Sequence, residues 1–281
     1  MIFINGILII NKPKGFTSRD VVNKLNHIFN TKKIGHTGTL DPIATGVLVV
    51  AIGSYTKLVN ELTSLDKEYI AEIKLGIKTD TGDVTGNISE ENNNFSITNE
   101  DILNVFNSFP KEYEQTVPKY SAVKINGRKL YEYARENKEV KLPKRIVKIH
   151  NLELLEFNNN IIKFKANVSK GTYIRSLIED ICEKLNVIGT MNSLIRNKQG
   201  KFNIDDAINL EDINESTKLL KCNDVLDVEE YNVDEKIYKL VINGNKLNKA
   251  IGNGFYNIVY NEKGIALYKF VNNEGRLVMF Y

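Results

Sequence analysis

At 281 residues, with 42% hydrophobic side chains and a net charge of +3, the chain has material for one large domain with a sizeable core and a smaller second one. Cys182 and Cys222 are its only cysteines and lie outside any Cys-x-x-Cys spacing, which excludes a disulfide framework and a structural zinc site and makes a reducing cytoplasm the expected setting. The longest early apolar run, Ile7 to Ile10, is too short for a signal-peptide core, and no run is long enough to span a bilayer, so a soluble, untargeted protein is expected.

The first predicted element is a buried strand at Ile7-Leu8-Ile9-Ile10. A helix follows, with Ser18 as N-cap and an apolar stripe of Val21, Val22, Leu25, Ile28 and Phe29. Val47 to Ile52 and Tyr69 to Leu75 read as strands, the second alternating Tyr69, Ala71, Ile73 and Leu75 against Ile70, Glu72 and Lys74. Ser89 to Asn94 is polar and reads as a loop. Ile102, Val105, Phe106 and Phe109 make a short helix stopped by Pro110. Phe164, Ala166 and Val168 alternate as a half-buried strand, and after a turn at Gly171, Leu177, Ile178, Ile181, Cys182 and Leu185 repeat with helical period. Acidic residues prevail from about Asn209 to Asp234, where the domain boundary is placed. Beyond it Lys239–Ile242, Tyr256–Tyr260 and Ile265–Tyr268 read as strands of a small β-rich unit, separated by Asn-Gly, Lys-Gly and Glu-Gly turns.

Charge is distributed unevenly along these elements. Residues 1–40 carry six basic side chains against one acidic, and residues 111–150 carry eleven against five, leaving −8 on the rest of the chain. The second stretch also holds Tyr113, Tyr120, Tyr131 and Tyr133. Cations interleaved with aromatic rings suit a polyanion with stackable bases, so nucleic acid is the expected partner.

The segment Gly35-His36-Thr37-Gly38-Thr39-Leu40-Asp41-Pro42-Ile43-Ala44-Thr45-Gly46-Val47-Leu48 places one carboxylate among small, hydroxylated and turn-forming residues. Its glycines permit positive φ and close approach by another chain, and Pro42 steers Asp41 away from helix. Such a loop presents Asp41 at the mouth of a cleft, whereas an isolated Asp-Pro would merely open a turn. Arg175 falls in the first turn of the helix after Gly171, where a cation opposes the helix dipole unless it faces an anion. Asp41 is the partner this placement suggests, and an adjacent guanidinium would lower its pKa and keep it ionised.

The Gly35–Leu48 segment resembles the catalytic motif of the TruB family of transfer RNA pseudouridine synthases, whose Gly-His-x-Gly-x-Leu-Asp-Pro-x-Ala-x-Gly context is matched here position by position. Other blocks resemble the family in the same order: Gly6-Ile7-Leu8, Asn11-Lys12-Pro13-Lys14-Gly15-Phe16-Thr17-Ser18, Lys67-Glu68-Tyr69, Leu75-Gly76, Thr79-Asp80-Thr81-Gly82-Asp83, Tyr120-Ser121-Ala122-Val123-Lys124, Leu130-Tyr131-Glu132-Tyr133-Ala134-Arg135 and Gly171-Thr172-Tyr173-Ile174-Arg175. The likeness covers about residues 5 to 200 and continues more weakly beyond. Two positions depart from it: Ile195 replaces the first of two arginines found after Leu194 in many relatives, and Thr116-Val117-Pro118-Lys119 replaces a double proline, implying a looser hinge.

The resemblance implies an α+β fold with a mixed, mostly antiparallel sheet flanked by helices, and a small β-rich C-terminal domain of PUA type. It divides the chain into a catalytic domain, residues 1–230, with an RNA-gripping thumb at about 115–148, and an RNA-binding domain, residues 231–281. It further implies isomerisation of uridine 55 in the tRNA T-loop after the base is flipped out. Catalytic roles fall on Asp41, Tyr69 and Arg175, Tyr69 stacking on the uracil more than acting as a base, since an ordinary tyrosine titrates near 10. Substrate contacts fall on Lys14, His36, Thr39, Tyr173, Leu194, Lys124 and Arg128. The implied enzyme needs no cofactor and no metal, acts on the tRNA T-arm as a monomer, and uses Asp41 either to add to C6 of uracil or to enable C1′–N1 cleavage. A non-catalytic RNA-binding protein and a synthase for another uridine are the competing readings; the joint presence of Asp41, Tyr69 and Arg175 argues against the first.

Overall fold

Residues 4–281 are described by the computed structural model. The first strand, β1 (Gly6–Lys12), is buried on both faces, as its unbroken apolar run requires. Helix α1 (Ser18–Ile28) is capped by Thr17, one residue before the position that the sequence pattern suggested. Asp20 explains the shift. Its carboxylate accepts from the Thr17 backbone and hydroxyl at 2.8 and 2.6 Å, closing a capping box that only Thr17 can complete. Ser18 Oγ turns inward and accepts from the Leu40 backbone at 2.9 Å.

β2 (Ile34–His36) leads through the aspartate loop into β3 (Thr45–Ile52), and β4 (Lys67–Leu75) follows a helical corner that includes α2 (Val59–Thr63). β5 (Ile77–Thr79) pairs with β6 (Ile88–Glu91), so the first part of the expected Ser89–Asn94 loop is strand. Backbone pairing fixes this exposed polar segment without apolar alternation. α3 (Asn99–Ser108) has a Thr98–Asp101 capping box and stops where Phe109, before Pro110, turns extended.

Then come β7 (Glu112–Thr116), the short hairpin β8 (Lys124–Ile125) and β9 (Arg128–Lys129), α4 (Leu130–Arg135), β10 (Lys144–Asn158), β11 (Ile161–Val168), α5 (Ile174–Lys184) and β12 (Gly189–Gln199). β13 (Phe202–Asn203) and β14 (Ile208–Asn209) complete a ten-stranded sheet of order β14-β1-β3-β12-β4-β11-β10-β7, with β2 on β3 and β13 on β12. Its pairs are antiparallel except β1 with β14 and β3 with β12. The expected mixed, mostly antiparallel sheet flanked by helices is therefore present.

After α6 (Cys222–Val225), a second sheet gathers β15 (Val228–Asn232), β16 (Leu247–Asn248), β17 (Gly254–Tyr260), β18 (Lys263–Val271) and β19 (Glu274–Phe280) in the order β15-β17-β18-β19-β16. Lys239–Ile242, read as a strand, belongs instead to helix α7 (Glu235–Ile242). The Asp234 carboxylate accepts from Ile237 N at 2.8 Å, and this cap outweighs the β-branched composition of the segment.

Three apolar clusters fill the larger unit. Phe106, Phe164, Ile178 and Ile181 pack α3 and α5 on the sheet, and Leu8, Ile10, Val21, Leu25 and Leu48 pack α1. On the remaining face Ile7, Val47, Val49, Tyr55 and Leu58 receive Leu267 and Met279 from the second sheet, so the small unit closes a core of the large one. No helix among the described residues is long and apolar enough to cross a membrane.

Candidate active site

The aspartate loop bridges β2 and β3 and is fastened along its length. Ser18 holds the Leu40 amide, Ala44 N donates to the Asp41 carbonyl at 3.0 Å, and Gly15 N donates to the Pro42 carbonyl at 2.8 Å. That last bond sets the basic loop Pro13–Thr17, with exposed Lys14, against the residue that follows Asp41. Within the loop Thr39 is exposed and Leu40 is buried.

Arg175 enters from the second position of α5 and is buried. Its Nε lies 3.0 Å from Asp41 Oδ2 and its Nη2 donates to Asp41 Oδ1 at 3.1 Å, a two-point grip on the carboxylate. The other donors are fixed by backbone: Nη1 to the Thr81 carbonyl at 3.0 Å and Nη2 to the Tyr120 carbonyl at 2.9 Å. Gly82, at φ +75°, lies flush against the aliphatic part of this side chain. The pairing suggested by the helix position is thus realised.

Its electrostatic consequence differs from the expectation. The Asp41 pKa is raised above the ordinary aspartate value, because burial outweighs the opposing attraction of Arg175; Asp83 adds to the rise, and Lys12 works against it. The Asp41 side chain nonetheless keeps 31% of its surface open, so the carboxylate is crowded by protein on one side and reachable from the other.

Tyr69 stands on β4, buried in an apolar cluster with Leu40, Ile43, Ala44 and Leu194. β12 carries Leu194 and lies between β3 and β4, with Leu194 opposite Ala71 and Arg196 opposite Tyr69. The sheet order therefore brings residues separated by more than a hundred positions to one place. His36 Nδ1 accepts from Gly38 N at 3.3 Å, so the proton of the neutral ring lies on Nε2. Burial first, then Arg196 and Arg19, lower the His36 pKa and favour that neutral form. Tyr173, half-buried, is the N-cap residue of α5, two positions before Arg175.

The remaining two expected contacts lie apart. Lys124 and Arg128 sit on the β8–β9 hairpin, outside the bonds that converge on Asp41. Lys124 is exposed. Arg128 is held by Glu132 and Glu136 and lies over the Tyr133 ring, 5.0 Å from its centroid, so its charge is largely answered within the insertion. Lys144 and Lys148 likewise pair with Glu114 and Glu112. Lys111, Lys119, Lys124, Lys129, Arg135, Lys141 and Arg145 meet no carboxylate at ion-pair distance among the described residues, and they carry the excess charge of this segment.

Two buried cations had no signal beyond their place in the chain. Arg196 donates through Nε to the Val47 carbonyl at 2.6 Å and through Nη2 to the Gly38 carbonyl at 3.2 Å, tying the two ends of the aspartate loop together. Lys12, fully buried, donates to the carbonyls of Pro13 and Phe16 at 2.9 and 2.6 Å and closes the basic loop. Its pKa is lowered to about 8, chiefly by burial, with Asp41 opposing the shift. Either residue, taken alone in the sequence, reads as an ordinary surface cation.

Residues 26–174 match the model for the TruB family pseudouridylate synthase N-terminal domain. The chain is similar to the tRNA pseudouridine synthase B of Clostridium tetani, 42% identical over 274 residues, or 94% of this chain and 95% of that protein. It is also similar to that of Mesoplasma florum, 46% identical over 232 residues, or 82% of this chain and 81% of the relative. Among solved structures, a chain of a Cbf5-Nop10-Gar1 complex superposes with a TM-score of 0.70 at 25% identity, covering 98% of this chain and 84% of that one.

Proposed function

The chain belongs to the TruB family of pseudouridylate synthases, and on that premise we propose that it isomerises uridine to pseudouridine in tRNA, at position 55 of the T-loop. One observation carries the site assignment. A single carboxylate, Asp41, is gripped at two points by buried Arg175, stays open on one side, and has Tyr69 and Leu194 in the apolar cluster around its loop.

A uridine inside a folded loop is out of reach, so the base must be flipped out before it meets Asp41. The Tyr69 ring would stack on the uracil and Leu194 would line the same apolar wall. Asp41 then adds to C6 of the uracil or assists cleavage of C1′–N1. By either route the C1′–N1 bond breaks, the uracil turns, C1′ bonds to C5, any bond Asp41 has formed to the substrate breaks again to return the free carboxylate, the C5 proton leaves and N1 gains one. Reactant and product are isomers, so the reaction consumes no cofactor.

Lys14, His36, Thr39 and Tyr173 lie on the loops and helix start around Asp41 and would touch the RNA near the flipped base. Lys124 and its unpaired neighbours would meet phosphates farther out, with Arg128 shaping the insertion that carries them. We assign the chemistry to residues 1–230, with the thumb at about 115–148, and added tRNA contacts to a PUA-like unit, residues 231–281. The protein would act as a monomer in the cytoplasm.

The test is to incubate the purified protein with unmodified tRNA and to map pseudouridine by chemical modification and primer extension. A single new stop at the T-loop uridine is expected. Stops elsewhere would reassign the target, and a tRNA that is bound but unmodified would favour a non-catalytic RNA-binding role.

A further inference from the structure

We infer that Gln115 is a positioning residue for Arg175, and through it for Asp41; this rests on the catalytic reading of that pair. Gln115 lies on β7, at the root of the insertion, and is only 2% exposed. Its side-chain amide grips the backbone of Tyr173 from both sides. Oε1 accepts from Tyr173 N at 2.8 Å, and Nε2 donates to the Tyr173 carbonyl at 3.2 Å. Nε2 also donates to the Tyr113 hydroxyl at 2.8 Å, and that hydroxyl donates to Asp180 Oδ2 at 2.7 Å, on the same helix as Arg175.

Tyr173 gives α5 no side-chain cap, and its own N–H is satisfied from another strand, by Gln115. One residue past Arg175, Ser176 Oγ donates to the Thr116 carbonyl at 2.8 Å. The first turn of α5 is therefore bolted to β7 on both sides of Arg175. A buried amide with both ends used fixes position and rotation together, because its donor and acceptor cannot be exchanged without leaving the Tyr173 N–H unpaired. A shift of about 1 Å in a group that orients the reacting atom can cost about 10²-fold in rate.

The experiment compares wild type, Gln115→Leu, Arg175→Met and the double variant in single turnover at saturating tRNA across pH, with tRNA affinity and melting temperature measured beside them. Gln115→Leu is expected to lose about 10²-fold in rate. Its tRNA affinity should stay within about twofold, and its acidic limb should move the same way as in Arg175→Met. In the Arg175→Met background the same change should cost little more, since both losses pass through one residue. A folded Gln115→Leu with wild-type rate and limb overturns the proposal, and so do losses that multiply in the double variant. Should Gln115→Leu fail to fold, Gln115→Glu, which keeps the acceptor for Tyr173 N but loses both donations, is read by the same criteria. An inactive wild type, or an Arg175→Met of undiminished rate, would instead remove the catalytic reading itself.

Discussion

Arg175 meets Asp41 through two different nitrogens, Nε on Oδ2 at 3.0 Å and Nη2 on Oδ1 at 3.1 Å, while the carbonyls of Thr81 and Tyr120 hold the rest of the guanidinium. Orientation of the carboxylate is therefore set by three separate chain segments. Its ionisation is a contest that burial wins over Arg175.

Asp41→Asn keeps size and hydrogen bonding but removes the anion. Turnover should fall by roughly 10⁴-fold or more, as when other covalent catalytic units lose a member. tRNA affinity, measured by filter binding, should change little. A variant keeping a tenth of the wild-type rate would take Asp41 out of the chemistry.

The pH profile gives a signed test of the pair. If the ionised carboxylate is the acting form, activity is lost as pH falls through the folded-state pKa of Asp41, which burial places above the ordinary value. The acidic limb of the wild-type single-turnover rate should therefore lie above the range of a free aspartate. Arg175→Met removes the largest opposing influence and should move the limb to still higher pH. Asp83→Asn removes a like charge and should move it down. Arg175→Lys keeps a charge but loses the two-point grip, so it should slow the reaction with a smaller shift of the limb.

Charge reversal in the insertion separates free cations from paired ones. Lys124→Glu should lower the slope of log affinity against log salt by about 0.7 to 0.9 per lost phosphate contact. Arg128→Glu should change the slope less and disturb the insertion more, because Glu132 and Glu136 already hold that guanidinium. Equal slope changes for the two would show that the ion pairs open when RNA binds.

What the sequence could show depended on how local each signal was. Asp41 was legible because its glycines, proline and apolar flank lie within fourteen consecutive residues. The position of Arg175 at a helix start points to an anion, yet nothing local tells how deeply the carboxylate is buried, and the guanidinium alone gives the wrong direction for its pKa. Nothing local pointed to the holding roles of Gln115 and Arg196, since their partners lie 58 and about 150 residues away and are mostly backbone atoms, which carry no side-chain identity. The strand reading of Lys239–Ile242 failed on one capping carboxylate, Asp234, five residues upstream.

Removing the C-terminal unit tests how far it serves the larger one. Leu267 and Met279 are fully buried in a cluster with Ile7, Val47 and Tyr55, and burying such a side chain contributes about 1.5 to 3 kcal/mol. Deletion from β15 onward should lower the urea midpoint as well as tRNA affinity, and polar substitutions on the uncovered face should recover solubility but not affinity. A truncated protein of unchanged midpoint would make the two units independent.

The sharpest stability test lies at the junction of the aspartate loop and β3. Gly46 has φ +99°, and a Cβ there would strike the backbone of Arg196, to which Gly46 is paired in the sheet. Gly15 has φ +88° but open space around the position of a Cβ. Gly15→Ala should cost only the conformational penalty, about 1 to 2 kcal/mol, and leave the rate at saturating tRNA near wild type. Gly46→Ala should cost more than this, because β3 and β12 must part at the point where Arg196 ties the loop to the sheet. Its surviving folded fraction should also be slow, since the strand that moves is the one into which the Asp41 loop runs. Equal urea midpoints for the two variants would show that the loop yields freely at Gly46, and the idea of a rigid frame presenting Asp41 would fail with it.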